Sequence, residues 1–218
     1  MKKMPILSLA MSLAMSFLMS NHTHAQQSPG NVPSDANNNL GVKKVLIVYL
    51  SRTKNTKAVA EIIQQQTGGK LVPLELATPY PENYRQTVDQ VVHENETGYL
   101  PPLKTTIDSI GQYNIVFIGF PTWDMKMPPP MKSFLHKYDL GGKIVVPFNT
   151  NAGYGVGSGF QTVKQMCPNS LVLEGYSTKG GIEKDGVLFV IEGEKDKQVR
   201  DEVKSWLRRI NISSSIEK

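Results

Sequence analysis

A short polar stretch after the first long apolar run of the predicted domain contains residues well suited to bind a small anion. It reads SRTKNT, occupies residues 51–56 and directly follows the run VLIVYL. A helix predicted from Thr56 would present unpaired main-chain N–H groups and the positive end of its dipole here. The hydroxyls of Ser51, Thr53 and Thr56 add hydrogen-bond donors. The stretch therefore predicts either a phosphate site or a helix cap, because Ser, Thr and Asn also cap helices.

Two later loops carry an aromatic residue or a run of glycines. Trp123 follows the apolar run NIVFIGF after Pro121 and Thr122, and its flat indole can stack against a flat ring. Residues 149–155 read NTNAGYG and follow the run KIVVPF, and their glycines let the main chain approach a ligand closely. Core packing is the alternative for Trp123, as it is the expectation for Trp206 in the last predicted helix. A flexible connection is the alternative for residues 149–155.

The spacing of apolar residues predicts the elements that position these loops. Unbroken apolar runs at residues 44–50, 114–120 and 143–148 predict strands that are buried on both faces. Residues 70–76 and 171–176 predict two weaker flanking strands. Helices are predicted between and after the strands, at residues 56–66, 84–96, 130–138, 160–167 and 195–210.

Strands that alternate with helices predict an α/β fold. The expected architecture is a doubly wound, five-stranded parallel sheet with helices on both sides, in three α/β/α layers. A further apolar run at residues 186–192 (GVLFVIE) is expected to pair as a short edge hairpin. Because the carboxyl ends of parallel strands meet at one edge of a sheet, the three polar or aromatic loops are expected to meet there.

The amino terminus carries the features of an export signal. Lys2 and Lys3 precede a mostly apolar stretch at residues 5–19, and residues 23–25 (Thr-His-Ala) offer the small residues at which a signal peptidase cuts. A membrane anchor is the less favoured alternative, because the stretch is shorter than the roughly 18 residues that span a bilayer. We therefore predict a signal peptide over residues 1–25, a periplasmic or secreted location, and no membrane span after cleavage.

Composition narrows the organisation and the partners of the remaining chain. Residues 26–42 are rich in Gln, Asn, Ser, Pro and Gly and predict a flexible linker, and residues 43–212 predict one folded domain. The chain has 24 basic and 19 acidic side chains, and loss of two lysines with the signal lowers its formal charge from +5 to +3. Because the basic residues are spread among acidic ones, we expect no nucleic-acid partner.

Cysteine and histidine usage predicts neither a disulfide nor a metal site. Cys167 is the only cysteine, so an intramolecular disulfide cannot form, and we expect it to be a small, partly buried apolar residue. Within the predicted domain, His93 and His136 are isolated in the sequence and do not suggest a metal-binding cluster.

The loop SRTKNT after VLIVYL resembles the phosphate loop of the flavodoxin family, in which a Ser- or Thr-rich turn after the first strand holds the phosphate of flavin mononucleotide (FMN). Other shared segments are residues 79–81 (PYP), 98–103 (GYLPPL), 121–123 (PTW) and 128–130 (PPP). The resemblance runs over residues 44–210. It implies the sheet order 2-1-3-4-5, with FMN at the switch between the first and third strands.

The resemblance also implies a set of flavin contacts. The implied phosphate ligands are the N–H groups of the loop, the side chains of Ser51, Thr53, Asn55 and Thr56, and mainly the main chain of Arg52 and Lys54. The ring would be flanked by Pro121, Thr122 and Trp123. Its edge would be contacted by Asn149, Thr150, Asn151 and Gly153, and part of its other face would be covered by Tyr154.

Two residues depart from the family pattern. Lys54 stands where the family commonly has glycine, so the loop either tolerates a side chain or changes its course. Asp124 stands where related sequences often have a second aromatic residue. If its carboxylate faces the ring, its charge would oppose additional negative charge there and lower the reduction potential.

These features predict an exported FMN-binding protein that exchanges electrons with a protein or small-molecule redox partner. The flavin would supply the chemistry, so no catalytic side chain is expected. One alternative is an NAD(P)H-dependent flavin quinone reductase. Since no Gly-x-Gly-x-x-Gly pattern follows the first strand, its second nucleotide would have to bind transiently. The other alternative is a flavin-free binding module, which Lys54 and Asp124 would favour.

Overall fold

The computed structural model describes residues 44–212 of the chain. The strands are β1 (Val45–Tyr49), β2 (Lys70–Pro73), β3 (Ile115–Pro121), β4 (Ile144–Asn151), β5 (Leu171–Val172) and β6 (Tyr176–Lys179). The α-helices are α1 (Asn55–Thr67), α2 (Tyr84–Thr97), α3 (Pro129–Lys137), α4 (Gly159–Met166) and α5 (Gly193–Arg209). The predicted signal peptide and linker lie outside the described residues.

The strands form one parallel sheet in the order β2-β1-β3-β4-β5, which confirms the predicted fold. Strand β1 lies between β2 and β3, and all five of its residues are buried. Its side chains alternate between two hydrophobic cores. Val45, Ile47 and Tyr49 belong to the core under α1 and α5, whereas Leu46 and Val48 belong to the core under α3 and α4. Full burial of both faces explains why the strand reads as an unbroken apolar run.

The fifth strand of the sheet is interrupted. Its two parts, β5 and β6, both pair with β4 and are separated by residues 173–175. The indole Nε1 of Trp206 donates a hydrogen bond to the carbonyl oxygen of Glu174 at 3.0 Å, so this carbonyl does not join the ladder. A side chain on Gly175 would collide with the ring of Phe160. The strand resumes at Tyr176 and ends at Lys179, three residues beyond the predicted end.

The apolar run at residues 186–192 does not form the expected edge hairpin. Only a single antiparallel bridge, between Ile182 and Val187, occurs in this part of the structure. The run instead crosses the start of α1, where the side chain of Asn55 contacts the main chain of Leu188 and Val190. The main chain of this run is therefore hydrogen-bonded to the side chain of Asn55 and not to a neighbouring strand.

No helix within residues 44–212 is long and apolar enough to cross a membrane. The same residues contain no group of three or more His, Cys, Asp or Glu side chains that could hold a metal ion. Cys167 is buried, and burial raises the pKa of its thiol to about 11, so it is a poor nucleophile near neutral pH.

Candidate functional site

A cleft lies at the carboxyl edge of the sheet, where the loops after β1, β3, β4 and β6 meet. Parallel strands bring these loops together although they are far apart in the sequence. The predicted site residues that line the cleft are Arg52, Thr53, Asn55, Thr56, Pro121, Thr122, Trp123, Thr150 and Asn151. The three loops that were expected to meet therefore do meet, and Thr53 and Trp123 line the same cleft.

The other predicted site residues do not line the cleft. These are Ser51, Lys54, Asn149, Gly153 and Tyr154. Ser51 Oγ accepts a hydrogen bond from the N–H of Lys57 at 3.2 Å. Tyr154 is 70% exposed and packs on no aromatic ring of the described residues.

Five residues that line the cleft were absent from the predicted set. They are Tyr84, Ala152, Gly180, Gly181 and Glu183. The last three follow β6 and fell outside the prediction because the fifth strand was expected to end at Tyr176. The Gly-Gly pair at residues 180–181, four residues beyond the predicted end of the fifth strand, was the available signal for a loop there.

The main-chain N–H groups of residues 51–56 belong to the loop that contributes four lining residues to the cleft. None of them donates a hydrogen bond to another group within residues 44–212. The N–H groups of Lys57 and Ala58 do have partners, namely Ser51 Oγ and the carbonyl oxygen of Lys54. Six consecutive unpaired donors at a helix start favour an anion with several acceptor oxygens.

Lys54 ends the loop in the left-handed backbone conformation. Its φ is 68° and its ψ is −9°, and it is the residue that immediately precedes α1. This region favours glycine, because a Cβ atom crowds the following carbonyl group. The lysine is accommodated without a cap hydrogen bond from its side chain, which is exposed. The loop therefore makes its left-handed turn with a lysine side chain in place.

Replacing Lys54 by glycine is expected to stabilise the protein by about 0.5–1 kcal/mol, because relief of left-handed strain exceeds the entropy cost of glycine in the unfolded chain. Lys57→Gly is the matched control, since Lys57 is an exposed lysine inside α1. It should destabilise the protein by about 1 kcal/mol. Urea unfolding of both variants measures the difference, and a loss of stability in K54G comparable to that in K57G would contradict the left-handed turn.

Asn55 fixes the loop from within the protein. It is 2% exposed, and its Nδ2 atom donates hydrogen bonds to the carbonyl oxygen of Leu188 at 2.6 Å and to Thr53 Oγ1 at 2.9 Å. Its Oδ1 atom accepts from the N–H of Val190 at 3.1 Å. With both ends of the side-chain amide hydrogen-bonded, Asn55 holds the loop in place, and its own main-chain N–H has no partner within residues 44–212.

Thr56 and Thr150 connect the loop after β1 to strand β4. Their hydroxyl oxygens lie 2.8 Å apart, and both residues are buried. Either hydroxyl can be the donor in this pair, so the other retains a hydrogen that can point to a ligand.

Trp123, which lines the cleft, is supported by a second aromatic ring. The ring of Tyr80 meets Trp123 edge to face, with ring centroids 5.5 Å apart and an interplanar angle of 84°. The Tyr80 hydroxyl donates a short hydrogen bond to Glu94, a carboxylate that is only 3% exposed. Burial, followed by this hydrogen bond and the Glu94 charge, raises the pKa of Tyr80 far above its ordinary value. The phenol therefore stays protonated and holds its ring against the indole.

The carboxylate of Asp124 is paired outside the cleft. Its Oδ2 atom accepts hydrogen bonds from Lys126 Nζ at 2.8 Å and from Asn95 Nδ2 at 3.3 Å. Asp124 and Met125 have φ values of 50° and 51°, and Trp123 and Lys126 are hydrogen-bonded across this two-residue turn. The turn directs the carboxylate towards α2, so its charge is largely compensated by the adjacent ammonium group.

Asn149 and Asn151 organise the loops after β3 and β4. Asn149 is fully buried, and its Nδ2 donates to the carbonyl oxygen of Phe120 at 2.9 Å. Asn151 Oδ1 accepts from the N–H groups of Gly153 and Gly155, at 2.9 and 3.1 Å. These side chains thus act on the shape of the loops, and Asn151 also lines the cleft.

The sequence of this chain matches that of a known protein family. A family model described as Flavodoxin matches residues 44–193, which is more than half of the 218 residues. This chain belongs to the flavodoxin family. The match includes every loop that lines the cleft, and it ends where α5 begins. The resemblance noted in the sequence is therefore confirmed.

Several solved structures share the fold of this chain. A protein from Bacteroides eggerthii DSM 20697, provisionally assigned as a flavoprotein, is 28% identical with a TM-score of 0.61; the alignment covers 78% of this chain and 99% of that one. A similarly assigned protein from Bacteroides uniformis ATCC 8492 is 21% identical with a TM-score of 0.62, covering 76% and 98%. A flavoprotein from Lactobacillus acidophilus NCFM, solved in complex with FMN, is 23% identical with a TM-score of 0.55, covering 66% and 98%. No curated protein sequence matches this chain.

Proposed function

We propose that the protein binds FMN in the cleft and exchanges electrons with a protein or small-molecule redox partner through the flavin. One observation carries the proposal: in this flavodoxin-family chain, the loop at residues 51–56 has main-chain N–H groups without a partner among residues 44–212, and four residues of this loop line one cleft together with the indole of Trp123. The donors suit a phosphate and the indole suits a flat ring, so the two halves of FMN each have a chemically matched wall.

The loop at residues 51–56 would hold the phosphate group. Main-chain N–H groups carry no formal charge, so they can bind a dianion without introducing a fixed basic side chain. The positive end of the α1 dipole adds to the attraction. Thr53 and Thr56 would add hydroxyl donors, and Asn55 keeps the loop in place through Leu188 and Val190.

Trp123 would lie beside the ring, supported by Tyr80. The edge-to-face contact between them limits rotation of the indole, so the aromatic surface is preorganised. Stacking would exclude water from that face of the ring. FMN, when bound, supplies one- and two-electron redox chemistry, and the residues of the chain determine its position and surroundings.

FMN is favoured over other flavins on two grounds. The donors at residues 51–56 match a terminal phosphate, which riboflavin lacks. The flavoprotein from Lactobacillus acidophilus NCFM, which shares the fold, was solved in complex with FMN. We further propose that the protein acts in the periplasm or outside the cell after cleavage of residues 1–25.

The test is a study of the protein isolated from the exported fraction. Mass spectrometry should find an amino terminus at Gln26, and the visible spectrum should show bound flavin or develop it on addition of FMN. FMN should bind at least about tenfold more tightly than riboflavin, since each charge-assisted phosphate hydrogen bond adds about 1.5–3 kcal/mol.

Three outcomes would contradict parts of the proposal. Absence of FMN and riboflavin binding would favour a flavin-free binding module. Equal affinity for FMN and riboflavin would remove the phosphate assignment. An intact amino terminus in cytoplasmic protein would contradict export and leave the flavin site standing.

A further inference from the structure

Arg52 joins three segments around the cleft through one guanidinium group. Nε donates to Glu183 Oε1 at 2.6 Å, Nη1 to the carbonyl oxygen of Pro81 at 3.1 Å, and Nη2 to the carbonyl oxygen of Glu82 at 2.7 Å. The side chains of Arg52 and Glu183 are 22% and 21% exposed. Each of the three guanidinium nitrogens therefore donates to a protein acceptor.

Glu183 places a carboxylate in the cleft that is proposed to take a phosphate. Glu183, Thr53 and Thr56 all line this cleft. A carboxylate and a phosphate dianion in the same partly enclosed space repel each other, and low local polarity strengthens this repulsion. Arg52 Nε lies 2.6 Å from Glu183 Oε1, so the guanidinium group compensates the charge of this carboxylate.

We infer that Arg52 is a positioning residue that neutralises Glu183, and that this ion pair determines whether the cleft prefers phosphorylated to unphosphorylated flavins. The inference rests on the proposed FMN site. It assigns the charge of Arg52 a role in selectivity, separate from its role in joining the loop at residues 81–82 to the loop after β1.

The experiment compares the affinities of FMN and riboflavin, by quenching of flavin fluorescence, in five proteins. These are the unchanged chain and the variants Arg52→Gln, Arg52→Lys, Glu183→Gln and the double variant R52Q/E183Q. Riboflavin lacks the phosphate and is not repelled by the Glu183 carboxylate. A change in riboflavin affinity therefore reports a change in the shape of the cleft. Circular dichroism and thermal unfolding of each protein report on folding.

If the charge of Arg52 determines the preference for FMN, the four variants should differ in their affinities. R52Q should lose about tenfold more affinity for FMN than for riboflavin, because Glu183 is then unpaired. R52K should stay within about threefold of the unchanged chain for FMN, because it keeps the charge but cannot make all three hydrogen bonds. E183Q should bind FMN at least as tightly as the unchanged chain, and R52Q/E183Q should regain most of the affinity that R52Q loses.

Other results would overturn the inference and are separable from failure of the proposed function. If R52Q weakens FMN and riboflavin equally and E183Q does not rescue it, Arg52 serves only to join the loops. The same conclusion holds if R52K is as defective as R52Q. If the unchanged chain binds neither ligand, the FMN site itself is absent, and the inference is overturned together with the proposed function.

Discussion

The double variant Thr53→Val/Thr56→Val is expected to bind FMN at least about 100-fold more weakly than the unchanged chain, because two hydrogen bonds to a charged phosphate are lost at about 1.5–3 kcal/mol each. Valine keeps the shape of threonine and replaces its hydroxyl by a methyl group. The hydroxyl of Thr56 also pairs with that of Thr150 at 2.8 Å, so its loss disturbs the adjoining strand end as well. Titration followed by flavin fluorescence measures the change.

A matched control for this variant is Thr67→Val/Thr97→Val. Both hydroxyls donate to main-chain carbonyl groups one turn earlier in α1 and α2, and neither residue lines the cleft. The control should leave FMN affinity within about twofold of the unchanged chain, since its lost hydrogen bonds are remote from the ligand. Unchanged FMN affinity in T53V/T56V would remove these hydroxyls from the phosphate site.

Trp206→Ala is expected to lower the free energy of unfolding by about 3–5 kcal/mol, the range for loss of a large aromatic side chain from a core. Trp206 is 1% exposed and packs on Phe117 and Tyr176, with ring centroids 6.0 and 5.5 Å away. Its truncation opens a cavity between α5 and the sheet. It also removes the indole hydrogen bond to Glu174. Urea unfolding followed by circular dichroism gives the loss.

The other tryptophan provides the control, because it lines the cleft instead of filling the core. Trp123→Ala should cost about 1 kcal/mol of stability, since the indole is only partly buried. It should weaken flavin binding, whereas the folded fraction of W206A should bind FMN with nearly unchanged affinity. A stability loss below about 1 kcal/mol for W206A would contradict its place in the core.

The sheet could be predicted from the sequence because its central strands are buried on both faces. Burial leaves no alternation of polar residues, so β1, β3 and β4 appear as continuous apolar runs with clear ends. The order of the strands did not come from periodicity. It came from the resemblance of SRTKNT and its neighbouring segments to the flavodoxin family, and the structure and the family match confirm it.

The long-range contacts of the cleft could not be predicted in the same way. The amide of Asn55 was predicted to bind the phosphate. In the structure it is hydrogen-bonded to the main chain of Leu188 and Val190, more than 130 residues later. Glu183 enters the cleft only because the fifth strand is interrupted and continues to Lys179. Asp124 faces α2 because two left-handed residues turn it there. Each depends on tertiary packing that local sequence patterns do not encode.

The contacts of Asn55 have a consequence for the order of assembly during synthesis. The amide belongs to a loop made early by the ribosome, and its partners are 133 and 135 residues further along the chain. A nascent chain that ends before Leu188 lacks both long-range partners of this amide, which leaves the start of α1 less firmly held. If FMN binds as proposed, its uptake should therefore wait until nearly the whole polypeptide has been made, and a translation product truncated before Leu188 should not bind FMN even if its first strands had paired.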